Sequence, residues 1–571
     1  MNDNHAPFDA KARIRVRVAF LVVVALAVAM EVVIDPMSVN PDGVSYLDLG
    51  DAILDGRPWA IVGYFSPLYA VWVAAAVRIV QPSIANEFLV VHAASGAIAL
   101  LAAVAFEALI TQVVEFVRGA KPQVPVREGW WRMFGYGLFL WSLIRNVGPA
   151  QVTPDVAVMA VVFAATALVL RMTANGAPRP RTAATLGLVL GVGYLAKAVV
   201  FVNGFMVLGI FTWLARKAPR AVFVAWATFL VVTAPWITAI SLNKGRPTFG
   251  DVGRLALVWF QSPVPVLHWQ GDEPGSGTPV HPTRRIMRNP DVFEFATPFP
   301  VSYPPWYDAS YWSEGVRWHP DARVIIARAA QSLKGTAPHL WMAVAVLVAL
   351  LVWGRSAGPL TAIFGPAGAL ALPAIATYLV YSPIATFPRY LAGWSVLLYL
   401  FIVLAWATWK NGRMLRAAET VMVALLIWFA WQVTRVVSQQ ARASIDVASH
   451  QIRREDDGDT RAAETLRRAG LGTGDRVAAI GTVGAFTYWA RLARLRMVVE
   501  APAGYAGMFW RSDSTTRTAV LRIFRGQGAR AVVADSLPAT LDPGWQRIPE
   551  SRYAYCLFDA ASANVRCPAG P

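Results

Sequence analysis

The sequence predicts a polytopic α-helical membrane protein with many spans, followed by a small α/β domain at the C-terminus. Of the 571 residues, 56% are hydrophobic, and the mean hydropathy is +0.44. Long apolar runs recur throughout residues 1–437, as expected of helices that cross a bilayer. Residues 438–571 alternate instead between helical stretches and short β-rich runs, which predicts a partly parallel sheet closed by a hairpin near 545–558. The β-rich runs are residues 476–480, 496–500 and 529–534.

Basic residues orient the predicted spans. The first apolar run, about residues 14–33, follows four cations, which are Lys11, Arg13, Arg15 and Arg17. Because Lys and Arg mark the cytoplasmic side, the N-terminus is predicted to lie inside the cell, in a bacterial-type inner membrane. The further apolar runs are residues 66–81, 88–117, 132–147, 153–170, 183–198, 199–215, 220–240, 337–354, 359–380, 390–409 and 416–436.

One of these runs is not expected to span the membrane. Three later connections are basic and should be cytoplasmic, and they are residues 118–132, 171–181 and 216–220. They fall inside only if residues 66–81 do not cross, and this short run also contains Arg78. We therefore expect it to lie in the interface or dip into it. About eleven spans remain, with the loops 33–87 and 241–335 and residues 438–571 on the outer side.

Composition limits the classes of partner. The net charge of +17 comes mainly from short inter-helix loops and the C-terminal segment, without a basic-aromatic groove, so nucleic acid is not predicted as a partner. The 23 Trp residues suit interfacial belts and sugar stacking equally. Cys556 and Cys567, the only cysteines, could form a disulfide or remain two thiols.

The first outer loop carries the main candidate for chemistry. Asp42 and Tyr46 lie one helical turn apart, directly after Pro41, which can start a helix. The surrounding charges are Asp35, Asp48, Asp51 and Asp55 against the single cation Arg57. A carboxylate at an outer surface suits removal of a proton from an acceptor hydroxyl, and helix capping is the alternative role of Asp42.

Four further candidates lie at predicted outer ends of spans. Asp155 starts the run 153–170 and could equally be a helix cap. Lys197 lies at an outer turn, against the charge bias, and could bind a phosphate or snorkel to the interface. Arg389 and Tyr390 precede a late span, where Arg can pair bidentately with a phosphate or bind a lipid headgroup.

In their order these motifs resemble the GT-C superfamily, and more closely the protein O-mannosyltransferase and aminoarabinose-transferase group. The motifs are Asp42 with Tyr46, Ser-Pro-Leu-Tyr at 66–69, Pro-Trp at 235–236, Lys197 after a Gly-x-x-x-Leu segment, and Arg-Tyr at 389–390. They cover about residues 30–410. Gly43 follows Asp42 where family members often have a second acid, so the pair that could bridge a metal is reduced to one carboxylate.

The resemblance implies a glycosyltransferase that takes a monosaccharide from a polyprenyl-phosphate donor. The acceptor would be an envelope glycan, lipid or protein on the extracytoplasmic side, and we expect the aromatic loop 241–335 to help close over it. Asp42 would be the general base, Lys197 and Arg389 would hold the phosphate, and Tyr46, Asp155 and Tyr390 would bind substrate. A divalent cation, Mg²⁺ or Mn²⁺, is left open as a ligand of Asp155, and all these ionic residues are expected to meet on the outer side.

Two other functions use the same cations. A transporter or flippase for lipid-linked sugars should show charged residues near the middle of the membrane and repeat symmetry. The candidate charges lie instead at span ends on one side, which favours an enzyme. A non-catalytic protein that binds lipid carriers is the third class, and the missing second acid makes it a real alternative.

Overall fold

The computed structural model describes most of the chain as two compact units. Its described residues are 10–34, 39–148, 151–174, 178–262, 267–271, 277–295, 299–354, 358–408, 412–449, 457–481, 486 and 488–558. Unit 1 consists of Met1–Asp35, His92–Ser241 and Asp321–Ala443. Unit 2 consists of Pro36–Val91, Leu242–Pro320 and Ser444–Pro571. Each unit is therefore assembled from three separate stretches of sequence.

The elements follow in chain order. The helices are α1 (Ala10–Ile34), α2 (Pro41–Leu54), α3 (Pro67–Val80), α4 (Glu87–Ala120), α5 (Glu128–Trp141), α6 (Asp155–Ala174), α7 (Pro180–Ala196), α8 (Val199–Leu214), α9 (Pro219–Lys244), α10 (Val252–Gln261), α11 (Pro304–Tyr307), α12 (Ala309–Trp312), α13 (Ala322–Gly354), α14 (Gly368–Tyr381), α15 (Pro388–Thr408), α16 (Gly412–Ser449), α17 (Asp457–Arg468), α18 (Tyr488–Leu492), α19 (Ala503–Arg511) and α20 (Ser514–Gly526). The strands are β1 (Arg284–Met287), β2 (Val292–Glu294), β3 (Arg476–Gly481), β4 (Arg496–Pro502), β5 (Ala531–Ala534), β6 (Gln546–Arg547) and β7 (Ala554–Leu557).

Five helices among the described residues are long and apolar enough to cross a membrane. They are Ile84–Ala120, Asp155–Ala174, Pro219–Lys244, Pro388–Thr408 and Met414–Arg442. Three shorter apolar helices are α3, α8 and α14. The predicted run 359–380 is interrupted by a turn at Gly365 and Pro366, because proline cannot continue the helix before it. The chain is thus a multi-helix protein with membrane-compatible helices, and the count of eleven spans stays a prediction.

The run at residues 66–81 forms the short helix α3. Its 14 residues extend about 21 Å, less than the hydrocarbon core of about 30 Å. Within unit 2 it packs closely on α2, where a Cβ at Gly50 would lie 2.1 Å from the carbonyl oxygen of Ala70. The helix is thus shorter than the hydrocarbon core is thick, and the expectation that it does not cross the membrane stays a prediction.

In unit 1, α15 lies within the helical core and small residues bring other helices together. The residues of α15 from Leu391 to Ala407 are buried with one exception. Ser142 Oγ donates a 2.9 Å hydrogen bond to the carbonyl oxygen of Ala392, which fixes the π-helical turn after α5 to α15. Gly187 lets α7 approach α9, since a Cβ there would lie 2.3 Å from the Ala225 carbonyl oxygen. This packing sets the positions of the ends of α6, α7 and α15.

Unit 2 contains one seven-stranded sheet in the order β1-β2-β4-β3-β5-β7-β6. The three β-rich runs predicted near the C-terminus form β4, β3 and β5, and β3 pairs parallel with both of its neighbours. The predicted hairpin is β6 with β7. The sheet also includes β1 and β2, which come from residues 284–294, outside the predicted α/β segment, and β2 pairs antiparallel with β4. An unpaired strand edge offers backbone groups that a second segment can satisfy.

Candidate active site

Four of the predicted site residues come together in unit 1, at one end of three helices. Asp155 begins α6, Lys197 follows the last residue of α7, and Arg389 and Tyr390 lie in the first turn of α15. Lys197 Nζ lies 2.5 Å from Asp155 Oδ1, and Arg389 Nε lies 3.6 Å from Asp155 Oδ2. Residues 155, 197 and 389 are far apart in the sequence, so this cluster is a product of the fold. We call these four residues the unit 1 cluster.

Local sequence explains why each side chain lies at a helix end. Pro154 precedes Asp155, and an acidic residue in the first turn of α6 is favoured by the helix dipole. Lys197 has extended backbone angles (φ −153°, ψ 126°), which end α7 before α8 begins. Pro388 occupies the first position of α15, where its missing N–H costs no hydrogen bond.

The unit 1 cluster has an excess of positive charge that solvent can reach. The Asp155 side chain is 3% exposed, whereas those of Lys197 and Arg389 are 20% and 15% exposed. Lys197 Nζ lies 4.4 Å from the centroid of the Tyr390 ring, and Arg389 Cζ lies 5.3 Å from it. Arg389 Nη1 also donates to Gln151 Oε1 at 3.4 Å. One carboxylate and one aromatic face therefore hold two cations side by side.

Such an arrangement can bind a phosphate. An ammonium group carries three donors, and a guanidinium presents several donors in a fixed fork that matches a phosphate. Partial burial lowers the local dielectric and strengthens the attraction to an anion. The geometry fits Lys197 and Arg389 as phosphate-binding residues and Asp155 as the residue that orients them.

The residues around Asp155 do not fit a divalent cation. Both carboxylate oxygens face a cationic side chain, and a metal would have to displace Lys197 or Arg389. Among the residues that the structure describes, no group of three or more His, Cys, Asp or Glu could hold a metal ion. We derive no step through Mg²⁺ or Mn²⁺.

Asp42 lies in unit 2, at the start of α2. Asn40 caps the helix, and its side chain accepts a 3.0 Å hydrogen bond from the backbone N–H of Asp42. The indole Nε1 of Trp306 donates to Asp42 Oδ1 at 3.0 Å. Asp42 itself is half-buried, so its carboxylate is both oriented and reachable. That Asp42 acts with the unit 1 cluster stays a prediction.

Tyr46 is buried one turn further along α2. Its ring is 5% exposed and packs edge-on against Phe65 and Tyr69, with centroids 4.7 Å and 5.1 Å away. Such edge-to-face contacts are favourable beyond their buried area. Tyr46 thus supports the helix that carries Asp42, and its role in substrate binding stays a prediction.

The aromatic outer loop, residues 241–335, contributes much of unit 2. Tyr303 donates to Glu500 Oε1 at 2.8 Å, and His268 Nε2 lies 2.8 Å from the same oxygen. Burial and the neighbouring Glu500 raise the pKa of Tyr303 well above its ordinary value. Tyr307 donates to the carbonyl oxygen of Ala60 at 3.2 Å. The loop is held by side-chain hydrogen bonds, and its role as a cover over the acceptor stays a prediction.

Sequence reasoning missed two features of unit 2. Trp306, the partner of Asp42, lies in the aromatic motif at 303–312, but nothing in that motif distinguishes it from its neighbours. The second feature is a buried ion-pair network around Arg491 in α18. Arg491 is 2% exposed and contacts Asp48 at 2.9 Å, Asp51 at 2.7 Å and Glu87 at 3.1 Å. The spacing of Asp48 and Asp51 on one face of α2 was the available signal.

The pKa values of two carboxylates in the Arg491 network, those of Asp48 and Asp51, are shifted in opposite directions. Burial raises the pKa of Asp48, and the opposing effects of Arg491 and the Ser302 backbone N–H do not cancel it. Burial acts in the same direction on Asp51, but Arg491, Arg494 and Arg78 together bring the pKa of Asp51 below its ordinary value.

Two residues named in the sequence analysis lie outside the described part of the chain. They are Asp35 of the acidic loop and Cys567, which could form a disulfide with Cys556.

Comparison with known proteins gives structural relatives only. No family model matches the chain, and no curated protein matches it. ArnT from Cupriavidus metallidurans bound to undecaprenyl phosphate is 14% identical with a TM-score of 0.46, and the alignment covers 99% of this chain and 100% of that one. The same protein in the apo state is 16% identical with a TM-score of 0.49, covering 94% and 97%.

An archaeal protein is also similar. The oligosaccharyltransferase of Archaeoglobus fulgidus in the apo form is 12% identical with a TM-score of 0.44, and the alignment covers 91% of this chain and 69% of that one. Both matched proteins are less than 25% identical to this chain, and all three TM-scores are below 0.5. At these identities, the chain's own residues carry the functional proposal.

Proposed function

We propose that the protein is a membrane glycosyltransferase that moves a monosaccharide from a polyprenyl-phosphate donor to an acceptor on the extracytoplasmic side. The observation that carries the proposal is the unit 1 cluster, where Lys197 and Arg389 share the one carboxylate of Asp155 and stay partly exposed. Two partly exposed cations beside one carboxylate suit a phosphate ligand.

The cations would act mainly on the leaving group. Transfer breaks the bond between the anomeric carbon and the phosphate oxygen, and the electron pair stays on that oxygen. Lys197 and Arg389 would stabilise the negative charge that develops there, an effect that grows as the bond breaks. Asp155 would keep both cations in place, and the Tyr390 ring would support them from one side. The cluster would thus bind the donor and favour departure of the polyprenyl phosphate as the leaving group.

Asp42 would act on the acceptor. The acceptor hydroxyl oxygen would form a bond to the anomeric carbon while its proton passes to the Asp42 carboxylate. This single displacement inverts the configuration at that carbon. Trp306 fixes one oxygen of Asp42 through the indole N–H. Tyr46 would hold α2 in position through its contacts with Phe65 and Tyr69.

The test compares the cell-envelope glycans and lipid A core of a deletion strain with those of its parent by mass spectrometry. We expect one component to lose the mass of a single sugar, which would name both the sugar and the acceptor. The parent gene should restore it. Asp42→Asn should restore less than about 1% of the modification, because loss of a general base costs about 10²- to 10⁴-fold.

The matched control is Asp55→Asn, since Asp55 lies at the exposed end of the same helix and pairs with Arg78. It should restore the modification fully. Equal glycan masses in the deletion strain and its parent would contradict the proposed function. Full restoration by Asp42→Asn would remove Asp42 from the reaction and favour a carrier-binding protein.

A further inference from the structure

Unit 1 also contains a cavity near the other ends of the helices that hold the unit 1 cluster. Its volume is about 540 Å³, and it touches α6 around Arg171 and α7 around Thr185. Asp155 and Arg171 are separated by 16 residues of one helix, about 24 Å. The cavity is therefore distinct from the candidate phosphate site.

The lining of the cavity has an apolar wall and a polar edge. Apolar residues of α4, α6 and α7 form the wall, among them Val104, Ala108, Leu168 and Val189. The polar edge is formed by Arg17, Glu107, Thr111, Gln112, Arg171 and Thr185, and the carboxylate of Glu107 is paired with Arg17. An apolar wall beside two arginines suits an amphiphile with an anionic head. A water-soluble anion would make no contact with the apolar wall.

The charges around this cavity favour an anion. Glu107 accepts from Arg17 and Arg132, each at 2.5 Å, and also from the Tyr136 hydroxyl. Glu128 pairs with Arg132 at 2.8 Å, with Arg13 at 3.0 Å, and with Arg118. Two carboxylates thus serve four arginines, and Arg171 at the cavity adds a fifth cation. An anion bound there would gain from the excess of cations.

This end of unit 1 carries the basic residues that the sequence places in the cytoplasm. They lie in the first turns of α1, at the end of α4 and in the last turn of α6, and juxtamembrane cations attract the anionic lipids of the cytoplasmic leaflet. Basic pockets between membrane helices on that side are known to bind lipid head groups.

We propose that the cavity binds an anionic glycerophospholipid of the cytoplasmic leaflet. The phosphate lies between Arg17 and Arg171, where each guanidinium can donate to it. Thr185 and Gln112 provide further hydrogen bonds to the head group, and an acyl chain lies along the wall of α4 and α6. The bound lipid ties α1, α4, α6 and α7 together at this end, whatever reaction the protein catalyses.

The test uses the full chain, purified and stripped of lipid in detergent. Dioleoyl-phosphatidylglycerol is titrated while the Tm is followed, because a ligand of the folded state raises Tm with concentration. The same titration is made with dioleoyl-phosphatidylcholine, undecaprenyl phosphate and inorganic phosphate. Three variants are compared with the parent: Arg171→Gln removes a cation from the cavity, Ala108→Phe fills it, and Arg181→Gln is the control, an exposed arginine at the same end that does not line it.

Phosphatidylglycerol should stabilise the parent and Arg181→Gln alike, and phosphatidylcholine and inorganic phosphate should not. The apparent Kd for phosphatidylglycerol should rise about fivefold in Arg171→Gln, the effect of one juxtamembrane cation. Ala108→Phe should weaken binding at least as much. Equal stabilisation by phosphatidylcholine, a parent-like Kd in Arg171→Gln, or an equal loss in Arg181→Gln would overturn the proposal. The proposal would also be overturned if undecaprenyl phosphate stabilised the parent and Arg171→Gln abolished that stabilisation. The occupant of the cavity would then be the carrier lipid.

Discussion

Two clusters of ionised side chains in this protein have opposite charge balances. In the unit 1 cluster, one buried carboxylate holds two cations that are 15% and 20% exposed. In unit 2, one arginine that is 2% exposed faces three carboxylates, those of Asp48, Asp51 and Glu87. The first cluster has surplus positive charge with access to solvent, and the second uses its cation to neutralise the chain's own acids.

The difference separates a candidate ligand site from a structural contact. An accessible cation pair can exchange water for the oxygens of a ligand. Nε and Nη1 of Arg491 donate to its carboxylates, and removing this arginine would leave buried charges without a partner. Burial and ion pairing alone would place both clusters among functional candidates. Charge balance and exposure distinguish them.

The largest expected effect is the loss of the unit 2 arginine. Arg491→Met should destabilise the protein by about 3–5 kcal/mol, because it leaves Asp48 and Glu87 buried without their cation. The measurement is urea unfolding of the purified chain followed by Trp fluorescence. The control is Arg468→Ala, since Arg468 pairs with Glu464 on the surface of α17 and should change stability by at most about 0.5 kcal/mol. Equal small losses of stability in Arg491→Met and Arg468→Ala would contradict the structural role assigned to Arg491.

A smaller effect is expected on ligand binding by the unit 1 cluster. Lys197→Gln and Arg389→Gln should each weaken binding of undecaprenyl phosphate about tenfold to a hundredfold, since a hydrogen bond to a charged group contributes about 1.5–3 kcal/mol. Stability should change less than in Arg491→Met. Binding is measured by thermophoresis in detergent. Lys217→Gln, an exposed lysine after α8, serves as the matched control. Unchanged affinity in both cluster variants would show that the surplus charge is not a phosphate site.

Part of this comparison could be predicted from the sequence. Asp155, Lys197 and Arg389 stand at ends of apolar runs, and one-sided charge at span ends indicates a common location. The Arg491 network could not be predicted, because Arg491 and Glu87 are 404 residues apart and meet only through the tertiary fold. The strands β1 and β2 have four and three residues, too few to show a periodic pattern. Hydropathy likewise finds apolar runs but does not fix helix length, so the number of spans stays open.

The smallest effect concerns acid sensitivity in unit 2. The pKa of Asp51 is held below its ordinary value in the folded protein. The contribution of Asp51 to stability is therefore fully present above its pKa in the unfolded chain, and it is lost as the pH falls through its pKa in the folded protein. Asp51→Asn should therefore be less stable than the parent near neutral pH, and the difference should shrink as the solution is acidified. Urea unfolding across that range measures it. Asp55→Asn is the control at the same end of α2, and a difference that grows in acid would contradict the assignment.

The sheet of unit 2 has a consequence for how the protein is made. Its hairpin β1–β2 leaves the ribosome long before β4, the strand on which it pairs, so the hairpin has no template until the end of the chain has been synthesised. Residues 444–571 expressed by themselves would expose the edge of β4 and tend to associate through it. A premature stop before Arg476 would in turn leave Asp48 and Glu87 without Arg491. The segment that contains Arg491 and β4 is therefore required for assembly of α2 and of the β1–β2 hairpin.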